Sequence, residues 1–442
     1  TETYEDLFLS QGDFRVRADR VTVTPDGPIA RIAAEGVVVN NDSDETFSLE
    51  VGLATTTLSA PMISALSGSD EVVDLCRVGA FGLTAEVRDL RVLRDVRQEG
   101  LTRVRSELKA DRIDLNQTTS PVETRCGVEV TLNLVNVQEV RSDKSGTRAD
   151  RFGISVSLPG NVETLTFATA PPIQVSATFS GFLRQVPGGA SIAVIRDGGL
   201  EAEVSALSVV PALTAYLRGR GQAATDRAVS VARTLIPADI RASAYLTGST
   251  LLVEAMVPAD RISGLSRASL TSLIGDYRAQ LQTRSGQAAV EVSADLIGVG
   301  ESSVDLRARL AERGDDAPDL GLPEVVERAL PRTQLEAASI RHRDSGLLRA
   351  IELITGSPVS VLAAIYLKEG VSELPENWRP AARRAVSETA RFMSLTTRSQ
   401  GAEISVRTPT DLSVLETYRL LTIRPELADQ LITLEVREVP AN

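Results

Sequence analysis

The sequence predicts an α+β protein, rich in strands, built mainly from antiparallel sheets with amphipathic helices packed on them, in more than one domain. Three observations carry that prediction. Apolar and polar residues alternate with period two through most of the first 200 residues, as in strands with one wet face. Later the apolar spacing becomes helical and is bounded by Pro and Gly. A unit also recurs: an alternating strand, a Pro/Asp/Thr/Ser breaker, then an amphipathic helix. Glu201–Tyr216 aligns without a gap over Glu403–Tyr418, an offset of 202 residues, with Val204 over Val406 and Leu213 over Leu415. Leu251–Ile262 repeats the grammar, and Ser48–Leu53 followed by Ser59–Ile63 does so more loosely. An internal pseudo-repeat is therefore allowed for.

In chain order, Phe14–Thr24, Ile29–Val39 and Thr46–Thr55 read as strands, separated by Gly27-Pro28 and Asn40–Ser43 as hairpin turns. Short helical segments follow at Ser59–Leu66 and Glu71–Cys76. Strand patterns resume at Phe81–Leu93, Arg103–Leu115, Val128–Val140, Phe152–Leu158, Val162–Ala168 and Val175–Phe182. Gly188-Gly189 and Gly198-Gly199 read as isolated turn pairs. From Ser208 helices enter, the first with Pro211 in its opening turn and ended by Gly219 and Gly221. A stripe of Ala224, Ala228, Val231 and Leu235 stops at Pro237. Tyr245–Met256 reads as a strand, Asp260–Tyr277 as a helix, and Ala288–Leu296 and Ser303–Leu310 as strands.

The polar, Pro-bearing stretch Gly314–Pro323 is the best linker. Helices are expected over Leu347–Leu367 and Pro380–Met393, then a strand Ala402–Val406, a helix Asp411–Leu420 and a strand Leu431–Val436. The domains so read are a mainly antiparallel β domain over 1–200, an α+β domain over 201–313 and a helix-rich α+β domain over 323–442.

Composition narrows the function classes. Of 442 residues, 43% are apolar and 24% charged, which is ordinary for a chain that buries cores of its own. Aromatics are only 4%, so the cores must be Val, Leu, Ile and Ala. The net charge of −12 argues against nucleic acid, whose phosphates need neutralising cations. Lys109, Lys144 and Lys368 are the only lysines among 47 basic residues. That bias points to a high-GC bacterium, and it leaves lysine-dependent chemistry almost no residues. The chain starts Thr-Glu-Thr-Tyr, without Met or an apolar leader, which fits a mature exported protein. Cys76 and Cys126 are the disulfide candidate, closing a loop of about 50 residues at roughly 4 kcal/mol in the chain-entropy model. Two buried thiols are the alternative. The pair and the start together favour the periplasm or cell surface. The longest apolar run, Leu347–Leu367, is broken by Arg349, Glu352 and Gly356-Ser-Pro358, so it reads as a buried helix pair and no transmembrane span is expected.

No catalytic motif emerges, and no catalytic, cofactor-binding or metal-ligating residues are assigned. His342 is the only histidine; a Ser-His-Asp arrangement would need it, but between Arg341 and Arg343 it reads as a surface or turn residue. Glu312, Asp315, Asp316 and Asp319, and the run Asn41–Glu45, read as solvated loops before calcium loops. Phosphate-binding glycine loops and the G-x-S-x-G elbow are absent. At the level of architecture alone the chain resembles tubular lipid-binding proteins, which pair halves of curved sheet around long helices; that resemblance implies a groove for acyl chains. The expected function is a non-catalytic exported protein acting as a structural or interaction component of a cell-envelope assembly. The alternative is periplasmic binding or transfer of a lipid or other apolar ligand in a groove between sheet and helices. Partners are then envelope proteins or an apolar ligand, with no cofactor, and an oligomer is allowed for.

Overall fold

The structure is a computed structural model. It describes the whole chain except residues 28, 42–43, 60–82, 98–102, 123–124, 160–171, 206–238, 254–265, 267–270, 285, 310–331, 374–375, 377–378, 400, 409–411 and 440–442. The described residues form seventeen strands and five α-helices, and the paired strands run antiparallel throughout. The chain divides into two compact units, Thr1–Ala206 and Leu207–Asn442.

The first unit holds ten strands: β1 (Glu2–Gln11), β2 (Phe14–Asp26), β3 (Ile29–Asn41), β4 (Asp44–Ser59), β5 (Leu83–Arg97), β6 (Arg103–Val122), β7 (Arg125–Arg141), β8 (Gly146–Pro159), β9 (Ile173–Gln185) and β10 (Ser191–Val204). Each pairs with the next in the sequence, an up-and-down meander. Side chains paired across an antiparallel ladder share a face, so the register sorts the residues into rows. One row crosses all ten strands as Tyr4, Val21, Ala34, Ala54, Val87, Ile113, Leu134, Phe152, Phe179 and Gly198. The adjoining row on the other face runs from Glu5–Arg20–Glu35 to Arg88–Arg112 and on to Arg151. One face is aliphatic and aromatic; the other carries the charge.

A second regularity was not read from the sequence. Every ladder in this unit is interrupted at one level and resumes in unchanged register. On the odd-numbered strands the residue at that level has a positive φ: Asp6 at 53°, Gly36 at 60°, Asp89 at 54°, Asn136 at 50° and Gly181 at 62°. Asp, Asn and Gly are the residues that tolerate this left-handed conformation. The even-numbered strands answer with Asp19, Gly52, Asp111 and Asp150, and β10 with Arg196. The carboxylate of Asp19 lies over Gly36, that of Asp150 over Gly181, and that of Asp89 over Gly52. Asn136 Nδ2 donates to Asp111 Oδ2 at 2.6 Å. The apolar alternation changes phase there. On β2 the apolar positions are Val16 and Ala18 before the level, and Val21 and Val23 after it; on β6 they are Leu108 and Ala110, then Ile113 and Leu115. Each strand is re-aimed as at a β-bulge, without the extra residue. The sheet therefore carries a crease running across its strands.

The second unit continues with a meander of β11 (Ile240–Leu252), β12 (Ser272–Arg284), β13 (Gln287–Leu296), β14 (Gly300–Arg309), β15 (Gln334–Asp344), β16 (Gly401–Arg407) and β17 (Thr433–Glu438). Between β15 and β16 lie α1 (Leu347–Thr355), α2 (Val359–Glu373) and α3 (Arg379–Ser399). Between β16 and β17 come α4 (Val414–Ile423), a short 3-10 turn and α5 (Ala428–Leu431). The expected break between α1 and α2 is real: Gly356 adopts φ 72° and its N–H bonds back to Glu352 O. Helix α3 packs against β16 and β17, where Ala402 and Val436 are buried.

Helix α4 begins with a reciprocal capping box. Glu416 N–H donates to Ser413 Oγ at 3.2 Å and Ser413 N–H donates to Glu416 Oε2 at 2.8 Å. Ser413→Ala is expected to cost about 1 kcal/mol in chemical unfolding; an unchanged midpoint would show that this end is held by packing alone.

Several sequence expectations need correction. The helix expected over Asp260–Tyr277 is, from Ser272, strand β12, where Tyr277, Ala279 and Leu281 alternate with Arg278, Gln280 and Gln282. Gly198-Gly199 is no turn but the middle of β10, and a side chain at Gly198 would collide with the Phe179 ring. Strands β1 and most of β10 and β15 were not anticipated. The segments expected as helices over Glu71–Cys76 and Ala224–Leu235, the strand Val162–Ala168 and the Gly314–Pro323 linker lie outside the described residues. So does most of the first copy of the 202-residue repeat.

Candidate functional site

The aliphatic face of the first unit is the most extensive special surface among the described residues. A row next to that of Tyr4 continues it through Ile32, Leu115, Leu132, Ile154 and Leu200. Few of these side chains are fully buried. Tyr4 is 47% exposed and Leu200 45%, Gly198 is buried, and the others are of intermediate exposure. No described element of the unit packs against this face: every strand's substantial contacts are with its sequence neighbours. A monomeric soluble protein rarely exposes a contiguous apolar area this broad unless something binds there.

The opposite face is laced by surface ion pairs. Arg91 bridges Glu107 at 2.6 Å and Glu50 at 3.5 Å, and Arg112 meets Asp114 at 2.8 Å and Glu86 at 3.4 Å. These exposed pairs contribute little stability one by one, but they mark the face that water covers. Where Gly36 and Gly52 meet at the crease, a depression of about 420 Å³ is lined by Arg17, Asp19, Glu50 and Asp89. A second, threonine-lined one of about 660 Å³ includes Thr22, Thr24, Thr55 and Thr57. Both are open surface features. No group of His, Cys, Asp and Glu among the described residues has metal-binding geometry.

In the second unit the lone histidine is buried, at 8% exposure, which corrects its reading as a surface or turn residue. Its register partners are Ser302 and Ala402, while Arg341 and Arg343 turn the other way, toward Glu403 and Glu301. His342 Nδ1 lies 2.8 Å from Ser302 Oγ and Nε2 lies 3.3 Å from Asp344 Oδ1. A carboxylate only accepts, so in the neutral ring Nε2–H donates to Asp344 and the Ser302 hydroxyl donates to Nδ1. Asp344 Oδ1 also accepts from Leu348 N–H in the first turn of α1. Ser, His and Asp are thus in a hydrogen-bonded line. Both ring nitrogens and the carboxylate are engaged in joining β14, β15 and α1, a clamp and not an exposed nucleophile.

Of the disulfide candidate, Cys126 lies in β7 opposite Pro121, and Cys76 lies outside the described residues; the pairing stands as an expectation from spacing. The acidic cluster from Glu312 to Asp319 also lies outside them. No helix among the described residues is long and apolar enough to cross a membrane. No known family model matches the chain, and no curated protein matches it.

Proposed function

We propose that the aliphatic face of the first unit binds an acyl chain or another elongated apolar ligand, in a non-catalytic protein of the bacterial periplasm or cell surface. The observation that supports this is the ten-strand apolar row from Tyr4 to Gly198, mostly of intermediate exposure and faced by no described element of its unit. Hydrocarbon needs no polar partner, and each methylene sheltered from water contributes ~0.8 kcal/mol. The site is the sheet itself, in place of the groove between sheet and helices expected from the sequence.

Native mass spectrometry of gently purified protein, together with titration by a fluorescent fatty acid, tests the reading. A co-purifying lipid and saturable binding are the expected results. Ile154→Asp, in the middle of the face, should weaken binding about tenfold by placing a charge against hydrocarbon, with the far-ultraviolet circular dichroism unchanged. A ligand-free protein that binds no probe would sink the proposal.

A second reading, docking of an envelope protein, is favoured by one observation in the second unit. Val292, Val304 and Ile340 lie in one row on adjacent strands and are 44%, 41% and 49% exposed. Light scattering and cross-linking in the native envelope would test it; a strictly monomeric chain without partners would count against it.

A further inference from the structure

The apolar face of the first unit is not uniformly apolar, and its one polar patch is placed where the headgroup of an amphiphile would lie. Above the crease, a single row of the face reads Leu9, Val16, Val39, Leu49, Val92 and Leu108 across β1–β6. On β7–β9 the same row becomes Glu139, Thr147 and Arg184. The next row toward the strand ends places Arg94, Ser106 and Arg141 side by side. Rows on one face are about 7 Å apart and strands about 4.8 Å, so these six residues form one patch. Being at the end of the sheet does not account for it, because β1–β6 are aliphatic at the row that holds Glu139.

The patch is internally ordered and carries surplus positive charge. Ser106 is 2% exposed and its hydroxyl donates to Glu139 Oε1 at 2.9 Å, while Arg141 Nε donates to the same oxygen at 3.2 Å. Burial pushes the Glu139 pKa up; those two hydrogen bonds and the charges of Arg141 and Arg94 bring it below the ordinary glutamate value. Glu139 is therefore a fixed anion. It offsets one of three guanidinium groups, and Arg184 has no ion-pair partner among the described residues. Two positive charges remain over an aliphatic surface, in a chain whose net charge is −12.

We infer that the face takes an anionic amphiphile, its phosphate or carboxylate headgroup on Arg94, Arg141 and Arg184 and its hydrocarbon along the aliphatic rows. This rests on the proposed apolar-ligand reading and narrows it to a class. Guanidinium matches phosphate and carboxylate oxygens through paired donors. The complementary anion must bring its own hydrocarbon, since the patch adjoins Leu108, Val137 and Phe182 on the same face.

The test compares binding of pyrene-labelled phosphatidylglycerol and pyrene-labelled phosphatidylcholine to the full chain and to an Arg94→Gln/Arg184→Gln variant; Arg141 is kept because it holds Glu139. The wild type is expected to prefer phosphatidylglycerol by about tenfold and the variant to lose that preference. Phosphatidylcholine, whose phosphate is offset by its own ammonium group, should lose less than phosphatidylglycerol, and an unchanged far-ultraviolet circular dichroism spectrum shows that the variant is folded. Excess inorganic phosphate should not displace the labelled lipid. Equal binding of the two lipids by the wild type, or an unchanged preference in the variant, overturns the headgroup site and leaves the apolar surface standing. Displacement by inorganic phosphate would make the site a simple anion site and overturn the amphiphile. Failure of both lipids to bind the wild type overturns both readings.

Discussion

Replacing Arg341 and Arg437 together by Met is expected to destabilise the second unit by about 3–5 kcal/mol, because it leaves a buried carboxylate without a counter-charge. Glu403 on β16 is 6% exposed. Arg341 on β15 donates to its Oε2 at 3.0 Å and Arg437 on β17 to its Oε1 at 2.8 Å, so the three residues bind three strands together. The arginines are themselves well exposed, and their removal alone would cost little. Burial raises the Glu403 pKa, and the hydrogen bonds and charges of the two arginines more than reverse that, leaving it below the ordinary value. A carboxyl whose folded pKa is depressed contributes stability above its unfolded pKa, about 4.3, and loses it as the pH falls through the folded value. In the variant burial acts without opposition. The deficit should therefore be greatest near neutral pH and narrow in acid, where Glu403 is protonated in the variant. Urea unfolding at several pH values reads this directly; a deficit under about 1 kcal/mol, or one independent of pH, would contradict the account.

Gly181→Val at the crease is expected to cost about 2 kcal/mol or more. An L-residue in the left-handed region costs roughly 1–2 kcal/mol, and a β-branched one is worse placed there. The new Cβ would also press on the Asp150 carboxylate, which would have to swing away. Asp89→Gly is the control. It removes a side chain from the same conformation, φ 54°, and should change stability by less than about 0.5 kcal/mol. If Gly181→Val and Asp89→Gly unfold at the same denaturant concentration as wild type, the positive-φ row has no structural role.

The antiparallel, strand-rich character was legible because each half-strand alternates cleanly, as in Val21–Val23 against Thr22–Thr24. The crease was not read, although its trace is in the sequence: the change of phase between Ala18 and Val21, or Ala110 and Ile113, each beside an Asp. Period-two reading treats such a slip as noise, and only the register shows that ten slips share one level. Strand β12 reads as part of a helix in the sequence because Ile262, Leu265, Leu270, Leu273 and Ile274 fit a helical stripe, and only the pairing with β11 and β13 decides. Gly198 was misplaced for a related reason. Its glycine makes room for Phe179 on a strand 19 residues away in sequence. The headgroup patch was invisible, since Arg94, Ser106, Arg141 and Arg184 come from four strands and share no motif.

The meander of sequence neighbours has a consequence for how the first unit is made and how it can change. Every ladder forms between segments that follow one another in the chain, the widest gap being the 23 residues between β4 and β5, so the loop-closure entropy opposing each pairing is modest. The sheet can zip from its N-terminal hairpin as the chain is delivered, each new strand finding a template already in place. Inserting or deleting one whole hairpin, with its crease residues, keeps both faces and the up-down order intact. The width of the surface is then a quantity that gene-level gain or loss of hairpins can adjust two strands at a time, much as array proteins change length.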